Sequence, residues 1–372
     1  MALADQDLRG YSPVYERIAR ACAADADLLT FVEANARTDA RRGRLPVLFL
    51  AATHDLVLDE PDSDLAAIYR GGSDADPWPD FRDLVDRRRR DVADRLQTRS
   101  VQTNEVGRSA LLAPALRVAA GTRPVALVEL GPSAGLNLFP DRYRLEYRVA
   151  DQVADGVADE VVAVLGDPTS PVTVGCALVG PHRPDLAPGP TPSGLPDVVA
   201  RTGVDPNPLD VADPADRRWL RACLWPGVPE RATVLAGALD LVAPTPPDLR
   251  AGDAADALEP LVAEVAAAVG PDALVVVVAT WALTYLPAAG REAVLAGLDR
   301  RGADHDLALV TFEEPRCTPW VPAPDPGLSV AAGGTATVLG LRTWTRGVVG
   351  ARALAYAQPH GRRLAWAPAP ED

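Results

Sequence analysis

Lysine is absent from all 372 residues, so every basic side chain is an arginine. That absence excludes a Schiff-base lysine for pyridoxal phosphate chemistry and the lysine of a nucleotide-binding phosphate loop. Aromatic residues are scarce at 5%, and with hydrophobic residues at 48% the core must be built mainly from alanine, valine and leucine. The four cysteines, Cys22, Cys176, Cys223 and Cys317, are too far apart for a metal-type pair and read as small buried hydrophobes. His54, His182, His305 and His360 are equally scattered, so no metal site is expected. The most apolar segment, ALVVVVATWALTYL at Ala273–Leu286, is shorter than the ~20 residues a bilayer span needs. The leading MALADQDLRG lacks the charged stretch and apolar run of a signal peptide, so a cytoplasmic location is expected.

A formal charge of −14 repels phosphate backbones and anionic lipid, which argues against nucleic-acid and membrane partners. The one dense basic run, Arg87–Arg90, is interleaved with Asp83, Asp86, Asp91 and Asp94 at spacings of three and four. That spacing describes a solvated, ion-paired helix face. A small molecule is the expected partner.

The first third reads as helices. Ser12 before Pro13 is a helix opening, and Val14, Ile18, Cys22, Leu28, Leu29 and Val32 return at helical intervals until Gly43 and Pro46. Leu45–Leu58 is apolar enough for a buried helix, and Asp59–Pro79 reads as a polar loop. Phe81, Leu84, Val85, Val92 and Leu96 mark an amphipathic helix, and Ser109–Ala120 another. At Arg123–Pro124 the pattern changes. VALVELG is a continuous apolar run ending in glycine, as in a strand buried on both faces of a parallel sheet, and similar runs recur at Val198–Val204, Thr233–Leu235, Ala273–Thr280 and Asp306–Phe312. Helical stretches at Ala255–Val269 and Ala288–Arg300 alternate with them. The expected fold is therefore α/β, with a doubly wound, mostly parallel sheet. Residues 1–122 form a helical lid or platform and 123–372 the core. A segment at about 143–197, rich in Pro, Gly and Val, is inserted as strands and loops. Thr335–Trp344 and Arg363–Trp366 read as strands closing one edge.

Five segments carry candidate chemistry. In VELGPSAGLNLF a buried strand ends in Glu129, turns through Gly131 and Gly135, and enters a helix, which places backbone N–H groups and open space at the carboxyl end of the sheet. Glu129 would accept hydrogen bonds from an ammonium or hydroxyl; a ligand-free turn is an equal reading of the glycines alone. Asp205, ending the next strand in RTGVDPNPLDV, suits the two hydroxyls of a ribose, or is a turn residue before Pro206. Asp253 in RAGD suits an adenine amino group, or caps a helix. Thr280, Trp281 and Tyr285 follow a strand and would shape the substrate end, or the two aromatics are packing residues. In QTNEVGR, the side chains of Gln102, Thr103, Asn104, Glu105 and Arg108 either line a pocket over the sheet or cap a solvated helix start, and Arg108 suits a carboxylate.

Together RSVQTNEVGRSALLAPAL, VELGPSAGLNL, RTGVDPNPLDVADPADRRWLRACLWP and RAGD resemble segments of an actinobacterial family known as domain-of-unknown-function family 2332. The resemblance covers nearly the whole chain, and that family is similar in its core to class I S-adenosylmethionine-dependent methyltransferases. It implies a Rossmann-like, methyltransferase-type core that binds S-adenosylmethionine. Glu129, Gly131, Ser133, Gly135, Asp205, Asp253 and Thr280 would then sit on the cofactor side, and Gln102, Asn104, Glu105, Arg108, Asn137, Trp281 and Tyr285 on the substrate side. Ser133 replaces the middle glycine of the usual motif, and Asp205 lies beyond the usual ~20 residues because of the insertion.

Two rival readings remain open. Gly131-Pro132-Ser133-Ala134-Gly135 also spells the nucleophile elbow of an α/β-hydrolase, with His305 or His360 as base. A non-catalytic metabolite binder with the same core would carry the same residues.

Overall fold

Ser12 accepts the Tyr15 amide and Pro13 occupies the first turn, so a helix begins where the sequence places it. In the computed structural model, which describes residues 12–37, 44–150, 157–189, 191–322 and 337–368, seven α-helices precede the first strand. They are α1 (Pro13–Ala24), α2 (Ala26–Asn35), α3 (Leu45–Asp59), α4 (Asp64–Tyr69), α5 (Trp78–Arg87), α6 (Arg89–Thr98) and α7 (Ser109–Ala120). MALADQDLRG, Gly43 and Thr335–Ala336 lie outside the described residues. Two expectations change here. The polar loop Asp59–Pro79 contains α4, capped by Ser63, and the helix read through Phe81–Leu96 breaks at Arg88, whose φ of −108° and ψ of 27° are not helical.

The chain divides into two compact units, residues 1–103 with 209–236, and residues 104–208 with 237–372. This differs from a boundary near residue 122: α7 belongs to the second unit, and α8 (Pro214–Ala222) returns to the first. In the first unit α3 is apolar on all sides and is buried from Leu48 through Val57. Its polar residues are therefore paired. Asp55 accepts from Arg95 Nε at 2.7 Å and from Arg218 Nε at 2.8 Å, joining α3 to α6 and α8. The His54 ring lies 3.1 Å from the carbonyls of Ala222 and Leu224, and burial pushes its pKa down to about 4. The helix α9 (Pro229–Val242) carries the chain between units and absorbs Thr233–Leu235, expected as a strand. A three-residue run, Thr-Val-Leu, is too short to interrupt a helix with a proline in its first turn.

The second unit is built on an eleven-stranded sheet: β1 (Val125–Leu130), β2 (Arg144–Ala150), β3 (Val157–Gly166), β4 (Thr173–Leu178), β5 (Val198–Asp205), β6 (Asp248–Ala251), β7 (Leu274–Thr280), β8 (Leu307–Glu313), β9 (Thr337–Thr345), β10 (Val348–Ala357) and β11 (Arg363–Trp366). Their spatial order is β3-β2-β4-β11-β10-β9-β8-β7-β1-β5-β6. The run β6-β5-β1-β7-β8 is parallel throughout. Beyond β8 the sheet is mixed: β8–β9, β9–β10, β10–β11 and β2–β3 are antiparallel, while β11–β4 and β4–β2 are parallel. The tail strands thus do not close an edge but join the parallel run to the inserted β2–β4. Sequence periodicity overlooks β6 and β10, because both carry exposed or half-exposed polar and small residues rather than a continuous apolar run.

β1, β7 and β8 are buried along their whole length. Val128 and Leu130 pack with Leu258, Leu261 and Val262 of α10 (Ala254–Val269). Glu129 between them therefore points to the other face. No α-helix follows β1, contrary to expectation. Gly135 has a φ of +74°, only a 3-10 turn forms at Leu136–Leu138, and Pro140 then denies an amide and restricts Phe139, so the chain runs through a second such turn into β2. Among the described residues no helix is long and apolar enough to cross a membrane.

Gly302 in α11 (Ala288–Asp304) faces Trp344 of β9, whose indole Nε1 donates to Asp299 at 2.9 Å and is thereby held. A Cβ on Gly302 would lie 2.6 Å from that of Trp344 and overlap its ring. Gly302→Ala is expected to destabilise the chain by about 1–3 kcal/mol, read as an earlier urea midpoint, since neither side can give way. An unchanged midpoint contradicts this packing.

Candidate functional site

Beyond Leu130 the chain turns through three left-handed residues, Gly131 (φ 68°), Ser133 (φ 57°) and Gly135. A non-glycine there costs roughly 1–3 kcal/mol unless its surroundings hold it. They do: the Ser133 amide donates to Asp205 Oδ2 at 2.9 Å, and Asp205 Oδ1 accepts the Asn207 amide at 2.8 Å. Asn104 Oδ1 accepts from Ala134 at 3.3 Å and Leu136 at 3.1 Å. Gly131 donates to the Val204 carbonyl and Gly135 to that of Pro132. Each N–H from Gly131 to Leu136 is thus taken by the protein, Pro132 having none. The expectation that this turn offers backbone amides to a ligand is corrected: Asn104 and Asp205 occupy them.

The side chains do more. The turn lies where strand order reverses, with β5 and β6 on one side of β1 and β7 and β8 on the other. Open α/β sheets bind ligands at such a point, beyond the carboxyl ends of the strands. A Cβ on Gly131 would stand 3.0 Å from Ala282 Cβ, so the turns after β1 and β7 approach closely there. Glu129 is fully buried, and burial pushes its pKa up to about 8 against the opposing pull of Arg108 and a hydrogen bond from Asn137, with Asp205 adding to the rise. Asn137 is oriented by Ser109, whose hydroxyl donates to Asn137 Oδ1 at 3.3 Å.

Arg108 reaches across the strand ends. Its Nη1 donates to the Thr280 carbonyl at 3.0 Å and its Nε to the Pro359 carbonyl at 3.1 Å. It also attracts Glu313, the last residue of β8, which accepts the amides of Ala282 (2.6 Å), Leu283 (2.8 Å) and Thr284 (3.2 Å) and fixes the turn after β7. Burial holds Glu313 up at about 7 despite these donors. Glu105 accepts from the Gly107 amide at 3.3 Å and pairs with His360 Nδ1 at 3.0 Å.

Three buried polar atoms here have no hydrogen-bond partner: Glu129 Oε2, Ser133 Oγ and Trp281 Nε1. Trp281, left-handed at φ 54°, follows β7 and is tied by its amide to the Phe312 carbonyl at 2.9 Å. Orphaned buried polar atoms are rare in folded proteins, and each calls for a water or a ligand.

Not every expected residue joins the cluster. Asp253 is exposed and caps α10, accepting the Ala255 amide at 2.8 Å. Gln102 belongs to the first unit, where its Nε2 donates to Ser100 Oγ at 3.5 Å. Tyr285 is half-buried in the 3-10 turn Leu283–Tyr285. Glu313, absent from the residues expected from the sequence, ends a buried apolar strand much as Glu129 does, and that shared position is its sequence signal.

A model of the family described as uncharacterized protein conserved in bacteria (DUF2332) matches residues 2–366. The chain belongs to that family. No curated protein matches the DUF2332 chain.

Two predictions follow from the cluster. Between pH 4.5 and 8 the folded chain keeps the Glu129 proton that an unfolded chain releases, so Glu129 withdraws stability as pH rises through this window and no further above it. Glu129→Gln is expected to gain on wild type in unfolding free energy from pH 5 to pH 8. A difference that stays flat or reverses removes the buried, neutral carboxyl. Asn104→Ala leaves two amides without their acceptor, which costs about 2 kcal/mol or more, and hydrogen exchange at Ala134 and Leu136 should accelerate ahead of the β1 amides.

Proposed function

We propose that this chain is an S-adenosylmethionine-dependent methyltransferase acting on a small molecule, with the cofactor at the carboxyl ends of β1, β5 and β7. The observation that carries the reading is the set of orphaned atoms, Glu129 Oε2, Ser133 Oγ and Trp281 Nε1, at the switch point of the sheet. Counted among themselves in chain order, the parallel strands run 3-2-1-4-5, the start of the doubly wound order that binds nucleosides and nucleotides at this place. Asp205 ends the strand beside β1 and keeps lone pairs beyond those given to Ser133 and Asn207, which suits ribose hydroxyls. Glu129 and Ser133 suit the amino-acid end. Asp253 no longer contributes. When bound, the cofactor supplies an electrophilic methyl group on a positively charged sulfur. The chain's own task is then to orient two reactants and exclude water, which needs positioning more than an acid or a nucleophile. The net charge of −14 favours a small acceptor over nucleic acid.

The hydrolase reading loses ground on specific contacts. Ser133 Oγ has no partner, His360 is turned to Glu105, and His305 is exposed at the end of α11. The Ala134 amide, which an elbow would use to stabilise an oxyanion, is bound by Asn104. A metabolite binder would use the same atoms and differs only in lacking turnover.

Titration calorimetry with S-adenosylmethionine and S-adenosylhomocysteine tests the reading. Binding is expected for both, reduced a few-fold by Ser133→Ala, about 1 kcal/mol, and at least tenfold by Asp205→Ala, whose charged acceptor also shapes the turn. The absence of both heat and thermal stabilisation at millimolar ligand would discard it.

A further inference from the structure

His360, in the second unit, has a carboxylate on its ring. Its Nδ1 lies 3.0 Å from Glu105 Oε2, and Glu105 is itself buried and fixed by the Gly107 amide. The two segments are locked together. A Cβ on Gly107 would overlap the His360 carbonyl, and one on Gly361, at φ +76°, would overlap the Gly107 carbonyl, so glycine faces glycine where they cross. Three residues of the same short stretch tie this pair to the strand ends: Asn104 holds the turn after β1, Glu105 holds His360, and Arg108 binds both the Pro359 carbonyl and the Thr280 carbonyl. One guanidinium therefore spans from the residue before His360 to the end of β7. The His360 side chain is 31% exposed, against 7% for Glu105.

We infer that Glu105 and His360 form a general-base dyad at this site, and that the methyl acceptor is a molecule whose hydroxyl or amine must lose a proton. The inference rests on the methyltransferase reading. A carboxylate on Nδ1 fixes that nitrogen as the one bearing hydrogen and leaves the Nε2 lone pair as the acceptor. In the step, Nε2 takes the acceptor's proton while the acceptor's oxygen or nitrogen lone pair forms a bond to the methyl carbon. The carbon–sulfur bond breaks, its electron pair neutralising the sulfonium. The products are a methyl ether or methylamine, a thioether, and an imidazolium paired with Glu105 that returns its proton to water. Acceptors that are already anionic need no such base.

The test uses the full chain, S-adenosylmethionine, and a panel of phenols, aliphatic alcohols and primary amines, with release of S-adenosylhomocysteine as one readout. Calorimetric cofactor binding and long-range 15N–1H NMR of the imidazoles in ligand-free protein at pH 8 are the others. The expected spectrum has His360 protonated at Nδ1 and bare at Nε2. Wild type should methylate at least one member of the panel. His360→Asn, which still offers Glu105 a donor, and His360→Ala should each slow that transfer by roughly a hundredfold or more while cofactor affinity stays within about threefold. Added imidazole should restore part of the His360→Ala activity, which a structural role does not allow. The opposite tautomer, transfer that survives His360→Asn, or cofactor binding without transfer to any member overturns the dyad and leaves the cofactor reading standing. Failure of wild type to bind cofactor removes that reading, and the dyad's role in methyl transfer with it.

Discussion

The site depends on one buried arginine. Glu129, Glu313 and Asp205 all lie near the carboxyl ends of strands in the parallel run, where burial strips Glu129 and Glu313 of hydration and the Asp205 charge adds to the cost at Glu129. Arg108 is the charge that attracts two of them, and its hydrogen bonds go to carbonyls rather than to the carboxylates. That division suits a guanidinium, whose fixed fork satisfies two carbonyls at once while its charge is felt by the acids around it. An ammonium could not hold both directions so rigidly. Its reach from Thr280 to Pro359 also brings the β10–β11 turn to the end of β7, so the position of His360 follows from the same side chain.

Much of the fold can be read from the chain because burial on two faces leaves a strong imprint. β1 and β7 are continuous apolar runs and β8 nearly so, α3 is apolar all round, and α7 and α10 begin and end within a residue of where their periodicity begins and ends. What escapes has a weaker imprint. β6 is an edge strand of four residues, one of them an arginine held by Asp248 and Glu264, and β10 is interrupted by Gly350, Arg352 and a register shift at Ala353–Ala355. The sequence marks the inserted segment as strands. Their pairing through β11 leaves no local trace, because it depends on contacts between residues as distant in the chain as Ala177 and Arg363.

In the site, residue types were legible and their partners were not. Asn104, Glu105, Arg108, Glu129, Ser133, Asn137, Asp205 and Thr280 do come together in one unit, as their polarity beside apolar runs implies. Yet an asparagine or aspartate able to grip a ligand is equally able to grip a turn. Asn104 and Asp205 do the latter, and Asp253 caps a helix. Sequence specifies the donor and acceptor inventory, whereas only the fold decides which of them the protein uses on itself.

That self-use narrows what the site can recognise. A turn whose amides point outward at a helix N-terminus is an anion cradle. Here the helix is missing and the amides are spent on Asn104, Asp205, Val204 and Pro132, so a phosphate would find neither dipole nor donors. The groups left over are a carboxyl that burial keeps protonated near neutral pH, a hydroxyl and an indole N–H. They would suit a ligand with hydroxyl, amino or carbonyl groups and would tolerate positive charge, because a cation beside Glu129 would favour the carboxylate and recover part of what its burial costs. An adenosyl sulfonium with an ammonium group has these properties, and a dinucleotide, whose pyrophosphate needs the outward amides, does not.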